Sequence, residues 1–147
     1  MAGGINFSAL DISASGLSAE RMRMEVVASN IANAHSTRSE GNQPYRRKQV
    51  VFATELQRAL GGSSSPGQQI GGVNVVGIQA DSSEFPKVYI PGHPHADANG
   101  MVTLPNVRIP NEMVDLITAS RGYEANLRVL RSFREMANQT LDLLRAT

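Results

Sequence analysis

Three residues close together carry side chains that a metal ion would want: His93, His95 and Asp97, in the run His93-Pro94-His95-Ala96-Asp97. Two imidazoles astride a proline and one carboxylate only just reach the three or four protein ligands that zinc takes, and no second cluster stands elsewhere in the sequence to complete the set. His95, Asp97, Asn99 and Gly100 also imitate the opening of a calcium-binding loop. That loop needs an acid first and a glutamate twelfth, where this chain has His95 and Asn106. A tight turn is the better reading. Arg46-Arg47-Lys48, with Tyr45 and Phe52 nearby, offers cations beside aromatic rings, the chemistry of base stacking. With a net charge of +1 the chain has too small a footprint for nucleic acid, so this run reads as a solvated or interfacial strand edge. No phosphate-binding glycine loop and no nucleophile in a known context is present. No catalytic residue, metal, cofactor, small-molecule substrate or nucleic-acid partner is expected.

What the sequence repeats is a pattern for burial. From Met113, alternating steps of three and four reach Leu116, Ser120, Tyr123, Leu127, Leu130, Arg134, Ala137, Leu141 and Leu144, and eight of these ten positions are apolar. Such spacing keeps one stripe of a helix against a partner helix turn after turn. Pro110 precedes the helix and Asn111 is its expected N-cap. Glu112 and Asp115 sit in the first turn, and Arg145 in the last, where the helix dipole favours each. The N-terminal part holds a matching series: Phe7, Leu10, Ala14, Leu17, Arg21, Met24, Ala28, Ile31 and His35, with Ser8 and Asp11 as a capping pair. Ile12, Ala19, Met22 and Val26 lie beside that stripe, so one partner helix would not cover it all. Gly16, Gly122, Arg21 and Arg134 interrupt the pattern, and a helical glycine costs about 1 kcal/mol relative to alanine. Either they are tolerated, the arginines snorkelling, or they set register and let a backbone approach closely.

Between the helices, residues 36–47 read as a loop. Strands are expected over 48–53, 73–79, 87–90 and 101–104, a short helical turn over 54–60, a flexible loop over 61–72 and a tight turn at Asn99-Gly100. The expected fold is mainly α with a small β part: an N-terminal helix in 1–36, a β-rich middle in 37–110 and a C-terminal helix in 111–147. The two helices form an antiparallel coiled coil, in which Leu10, Leu17, Met24 and Ile31 meet Leu116, Tyr123, Leu127, Leu130 and Leu141, with Leu144 continuing the stripe. Asn30 and Asn33 are expected to fix the helix exit through side-chain hydrogen bonds.

At 147 residues, with 41% hydrophobic and 5% aromatic content and no Trp, a large aromatic core is not expected. The absence of Cys excludes disulfides and thiolate metal sites. The first residues show no basic and apolar leader, and no run approaches the roughly 18 apolar residues that span a bilayer. A soluble chain, or one exported by a route that reads no such signal, is expected. Two helices bury one seam only, so the remaining apolar surface should pack against copies of itself or similar chains, and offset contacts that do not close build helical filaments.

Two blocks resemble known sequence. SGLSAERMRMEVVASNIANAHST, over 15–37, is similar to the flagellar rod and hook axial protein family around its Asn-Ile-Ala-Asn core, here Asn30, Ile31 and Asn33. It is continued by PYRRKQVVF, with Tyr45, Arg46 and Arg47. Residues 99–126 resemble the family's C-terminal pattern, including Tyr123, Glu124 and Asn126. The resemblance covers nearly the whole chain. It implies a structural subunit of the proximal rod, the drive shaft of the flagellar basal body, whose terminal helices build an inner tube that transmits torque for motility. It implies a periplasmic location, export through the flagellar type III apparatus without a cleavable signal peptide, and no direct membrane insertion. The neighbours implied are copies of itself, the rod proteins FlgB and FlgF, and the adaptor FliE. The residues by themselves also fit a soluble coiled-coil binding module or export chaperone, or a basic coiled coil that binds nucleic acid.

Overall fold

The computed structural model describes residues 7–38, 43–54 and 72–145. In chain order it contains α1 (Phe7–Ala32), β1 (Lys48–Thr54), β2 (Val73–Ala80), β3 (Lys87–Tyr89), β4 (Met101–Thr103) and α2 (Ile109–Arg145). The protein is mainly helical with a minor β part. The helical turn expected over 54–60 and the loop over 61–72 lie outside the described residues, except that Thr54 ends a strand and Gly72 leads into one.

Helix α2 starts before its expected cap. Pro110 lies in its first turn, where the fixed φ suits a helix and the missing N–H is no loss. The N–H groups of Asn111 and Glu112 donate to the Arg108 carbonyl at 3.0 and 3.1 Å, so Asn111 is inside the helix.

The helices run antiparallel, as the pairs across them show. Asn126 rests on Gly16, Glu20 on Gly122, Arg23 reaches toward Asp115 and Asn30 bonds Glu112. The seam therefore runs through Gly16, Glu20, Arg23 and Asn30 on α1 and through Glu112, Asp115, Gly122 and Asn126 on α2. Ser13, Val27 and Ala119, all buried, lie on the same faces. This corrects the expected face. Each observed stripe lies one residue N-terminal of the apolar series, a rotation of about 100° for each helix. Leu10, Leu17, Met24 and Ile31 consequently flank the seam half-buried, as do Leu116, Tyr123, Leu127 and Leu130. Ala14, Arg21, Ala28 and Arg134, expected on the stripe, are exposed, and Arg21 pairs with Glu25 at 3.0 Å.

The reason is steric and polar at once. Small residues let the helices approach, and ion pairs with amides fill the space between them. Among the residues whose side chains are described, no leucine, isoleucine, methionine or phenylalanine is fully buried. The buried apolar set is Ala19, Val26, Val27, Ala34, Tyr45, Val102 and Ala119.

A Cβ on Gly16 would lie 2.9 Å from Asn126 Nδ2, and one on Gly122 would lie 3.2 Å from the longer Glu20 side chain. Gly16→Ala should therefore destabilise the chain by about 1 kcal/mol despite its propensity gain, whereas Gly122→Ala should be neutral or stabilise by up to about 1 kcal/mol as Glu20 swings aside. Urea midpoints of the two variants check this; equal shifts would mean the two contacts do not differ.

Strands β1 and β2 form an antiparallel hairpin with Lys48 opposite Ala80 and Thr54 opposite Val73, irregular between Val51 and Phe52. It lies along α1: Lys48 is held by Asn30 at one end, and Val73 N–H donates to Ser15 Oγ at 3.1 Å at the other. Strands β3 and β4 form a second antiparallel pair, Lys87 opposite Thr103, with Val102 fully buried.

Candidate functional site

Where α1 ends and α2 begins, a buried polar clasp joins five segments of chain. At its centre is Asn30, with no exposed surface. Its Nδ2 donates to the Lys48 carbonyl at 2.8 Å and to Glu112 Oε2 at 2.9 Å. Its Oδ1 accepts from Lys48 N–H at 2.9 Å and from the Tyr45 hydroxyl at 3.0 Å. All the hydrogen-bonding capacity of the amide on these sides is used.

Glu112, equally buried, accepts from Arg47 Nε at 2.5 Å with its other oxygen. Arg47 also faces Asp81 at 3.5 Å and Asp115 at 3.4 Å. Its backbone N–H donates to Asn106 Oδ1 at 2.7 Å, and Asn106 in turn reaches Ser83 Oγ at 2.8 Å. Burial opposes the charge on Arg47, but Glu112, Asp81 and Asp115 outweigh it and hold the guanidinium above its ordinary value. Of the two alternatives for Arg46-Arg47-Lys48, a solvated or an interfacial strand edge, the solvated one fails at Arg47, whose side chain is only 20% exposed. Arg46 lies over the Phe85 ring at 4.2 Å and donates to the Asp81 and Ser83 carbonyls at 2.8 and 3.1 Å.

The other motif residues have their own places. Asn33 Nδ2 donates back to the Ser29 carbonyl at 2.8 Å, closing the last turn of α1. Ile31 and Tyr123 are half-buried, Glu124 is exposed and 3.8 Å from Arg128, and Asn126 covers Gly16. Sequence reasoning missed Glu112, Asp115, Asp81 and Asn106 as members of one site. Glu112 was legible only as an acid suited to a helix start.

The histidines are engaged in holding a loop. Asp97 Oδ1 accepts from the N–H groups of Asn99 and Met101 at 2.8 and 2.9 Å, with Gly100 at φ 75°, which is the tight turn expected there. His93 Nδ1 accepts from the His95 N–H at 3.1 Å, and His95 Nδ1 meets Thr37 Oγ1 at 2.8 Å, tying this loop to the exit of α1.

Burial, then Arg38 and His93, hold the His95 imidazole below its ordinary 6.5. Bonds from Ser83, and Arg47 beyond, hold Asp81 below its ordinary 3.8. Both groups have folded values below their unfolded ones, so each stabilises the fold above the unfolded value and loses that contribution as pH falls through the folded one. Acidification should therefore cost stability first at His95, the partner of Thr37, below 6.5, and at Asp81 in the clasp only below 3.8. Amide exchange at Thr37 against pH reads the first step, and His95→Gln should remove it; a Thr37 response unchanged by that substitution would contradict the assignment.

The second candidate is surface rather than site. Met113, Val114, Ile117, Val129, Met136 and Leu141 are 41 to 63% exposed along α2, and Leu144 is 70% exposed. Val129, Phe133 and Met136, with Arg128 and Ser132, line a shallow notch of about 310 Å³. No helix among the described residues is long and apolar enough to cross a membrane.

Two family models match the chain: flagella basal body rod protein over residues 10–38, and flagellar basal body rod FlgEFG protein C-terminal over 98–143. The chain is 44% identical over 133 residues to flagellar basal-body rod protein FlgC of Salmonella typhimurium, covering 90% of this chain and 93% of that one. It is 42% identical over 141 residues to FlgC of Agrobacterium fabrum, covering 95% and 96%, and 40% identical over 148 residues to FlgC of Bacillus subtilis, covering 93% and 97%.

Proposed function

Because the chain belongs to the flagellar basal-body rod protein FlgC family, and is a structural subunit of the basal-body rod, we propose that it builds the proximal rod by packing its helices among neighbouring subunits into a helical tube that transmits torque. One observation carries this reading. The α1–α2 seam is filled by glycines, small residues and ion pairs, so the apolar series Leu10, Leu17, Met24, Ile31 and Leu116, Tyr123, Leu127, Leu130 is left at its flanks, with Leu141 and Leu144 exposed.

That exposed surface is large for a chain that works alone, and it lies in lengthwise rows suited to neighbouring helices. Covering it stabilises an assembly by roughly 25 cal/mol for each Å² of apolar area removed from water. The clasp then acts as a rigid joint: it fixes the β-hairpin to the helix pair, so a twist applied to the helices is carried to the outer strands. Copies of this chain and the related proteins FlgB and FlgF are the neighbours proposed, with FliE beneath. The periplasmic space is the proposed location, reached by flagellar type III export without a cleaved signal.

Deleting the gene in the parent bacterium and isolating basal bodies tests the reading. The expected result is membrane rings without a continuous rod, restored by the full chain. Complete rods in the deletion strain would refute it. Sedimentation of the purified chain separates this from a binding module, which would form a compact, closed oligomer of its own.

A further inference from the structure

The two outer edges of the β1–β2 hairpin differ. Strands β1 and β2 pair only with each other among the described residues. On β1, Lys48 turns both its N–H and its carbonyl outward, and the amide of Asn30 takes both, at 2.9 and 2.8 Å. Asn30 thus caps that edge at Lys48 as a neighbouring strand would. The carbonyl of Arg47 points the other way and accepts from Asp81 N–H at 2.8 Å. Backbone alternation then fixes β2. Lys48 opposite Ala80 and Val50 opposite Ile78 are the non-hydrogen-bonded pairs of the ladder, so Ile78 and Ala80 turn their N–H and carbonyl groups away from β1. Among the described residues nothing takes them.

This edge is also unguarded. β2, VNVVGIQA, contains no charged residue and no proline, the usual devices that keep a free edge from pairing, and only the one irregularity opposite Val51 and Phe52 bends it. Val76 and Ile78, 67 and 51% exposed, stand beside the open backbone groups.

We propose that the outer edge of β2 receives an extended, charge-free segment of a neighbouring subunit of different sequence, added as a third strand. This contact presupposes the rod reading above. A row of alternating donors and acceptors is matched by another extended backbone, and alternate side chains of that segment would cover Val76 and Ile78. A charged residue placed there would lose hydration with no ion on β2 to meet it. A second copy of the hairpin is a poor occupant. Asn30 blocks the β1 edge at Lys48 against a second copy, and joining β2 to β2 makes an isologous contact that closes on itself and ends growth.

The chain contains no cysteine, so Ile78→Cys carries one thiol for attachment of a short photoreactive cross-linker. In assembled basal bodies, mass spectrometry should find it joined to a charge-free stretch of a different polypeptide. Ile78→Pro removes an outward N–H without touching the β1 ladder, and should lose rods while the isolated chain keeps its circular dichroism. Should that variant fail to fold, Ile78→Lys, which keeps the N–H and adds a charge, should lose rods in its place. Cross-links only to position 78 of a second copy, or normal rods with both the proline and the lysine variants, would overturn the inference. Intact rods containing the chain but giving no cross-link sink this contact alone; rods that lack the chain sink the rod reading with it.

Discussion

Replacing Asn30 with leucine is expected to destabilise the chain by about 3–5 kcal/mol, far more than its loss of one amide suggests. The side chain has no exposed surface, and four partners depend on it: both backbone groups of Lys48, the Tyr45 hydroxyl and Glu112. Leucine keeps the same branched arrangement of four heavy atoms, bulkier by its methyl hydrogens, while the Lys48 N–H, its carbonyl and one carboxylate oxygen lose their partner in a place closed to water. Each such orphan costs about 1–3 kcal/mol, and they are not fully additive. Asn33→Ala removes one bond to the Ser29 carbonyl at a half-buried position and should cost only about 1 kcal/mol. Urea unfolding followed by circular dichroism at 222 nm ranks the two. Equal, small losses would show that Asn30 is not the centre of the joint.

The same residues explain how far the sequence could be read. Two long antiparallel helices, four strands and the Asn99-Gly100 turn were legible because each has a local signal: period 3.6, β-branched runs, a glycine at positive φ. The face on which the helices meet was not. A search for apolar periodicity selects Met113 over Glu112 and Leu127 over Asn126, and on α1 it selects Leu17 over Gly16 and Ile31 over Asn30. In each case the residue passed over is the one at the seam, because its polarity is satisfied there by a partner distant in sequence or its smallness is what the partner needs. Glu112 finds Arg47, Asn30 finds Lys48, and Gly16 finds Asn126. Such pairs leave no periodic trace. The motif residues of the resemblance pointed to this junction without saying what they do; the geometry supplies the reason that Asn30, Tyr45 and Arg47 occur together.

Leu141→Asp should have the opposite profile to Asn30→Leu. Leu141 is 54% exposed on the last turns of α2, a helix of 37 residues against 26 in α1, so its side chain contributes little to the fold of the single chain. The urea midpoint should therefore stay within about 0.5 kcal/mol of the parent. Assembly is another matter. If that row of α2 is covered by neighbouring helices, each copy would bring a carboxylate into an apolar contact, at a cost of several kcal/mol per subunit, repeated around the tube. Rods and swimming should be lost while the protein is still made and exported. Two variants that each abolish motility, one by loosening the chain's own joint and one by spoiling what it presents to others, would separate the two jobs of these helices. Normal motility with Leu141→Asp would mean that this end of α2 meets water in the rod, and the apolar surface proposed for assembly would have to lie along the flanks of the seam instead.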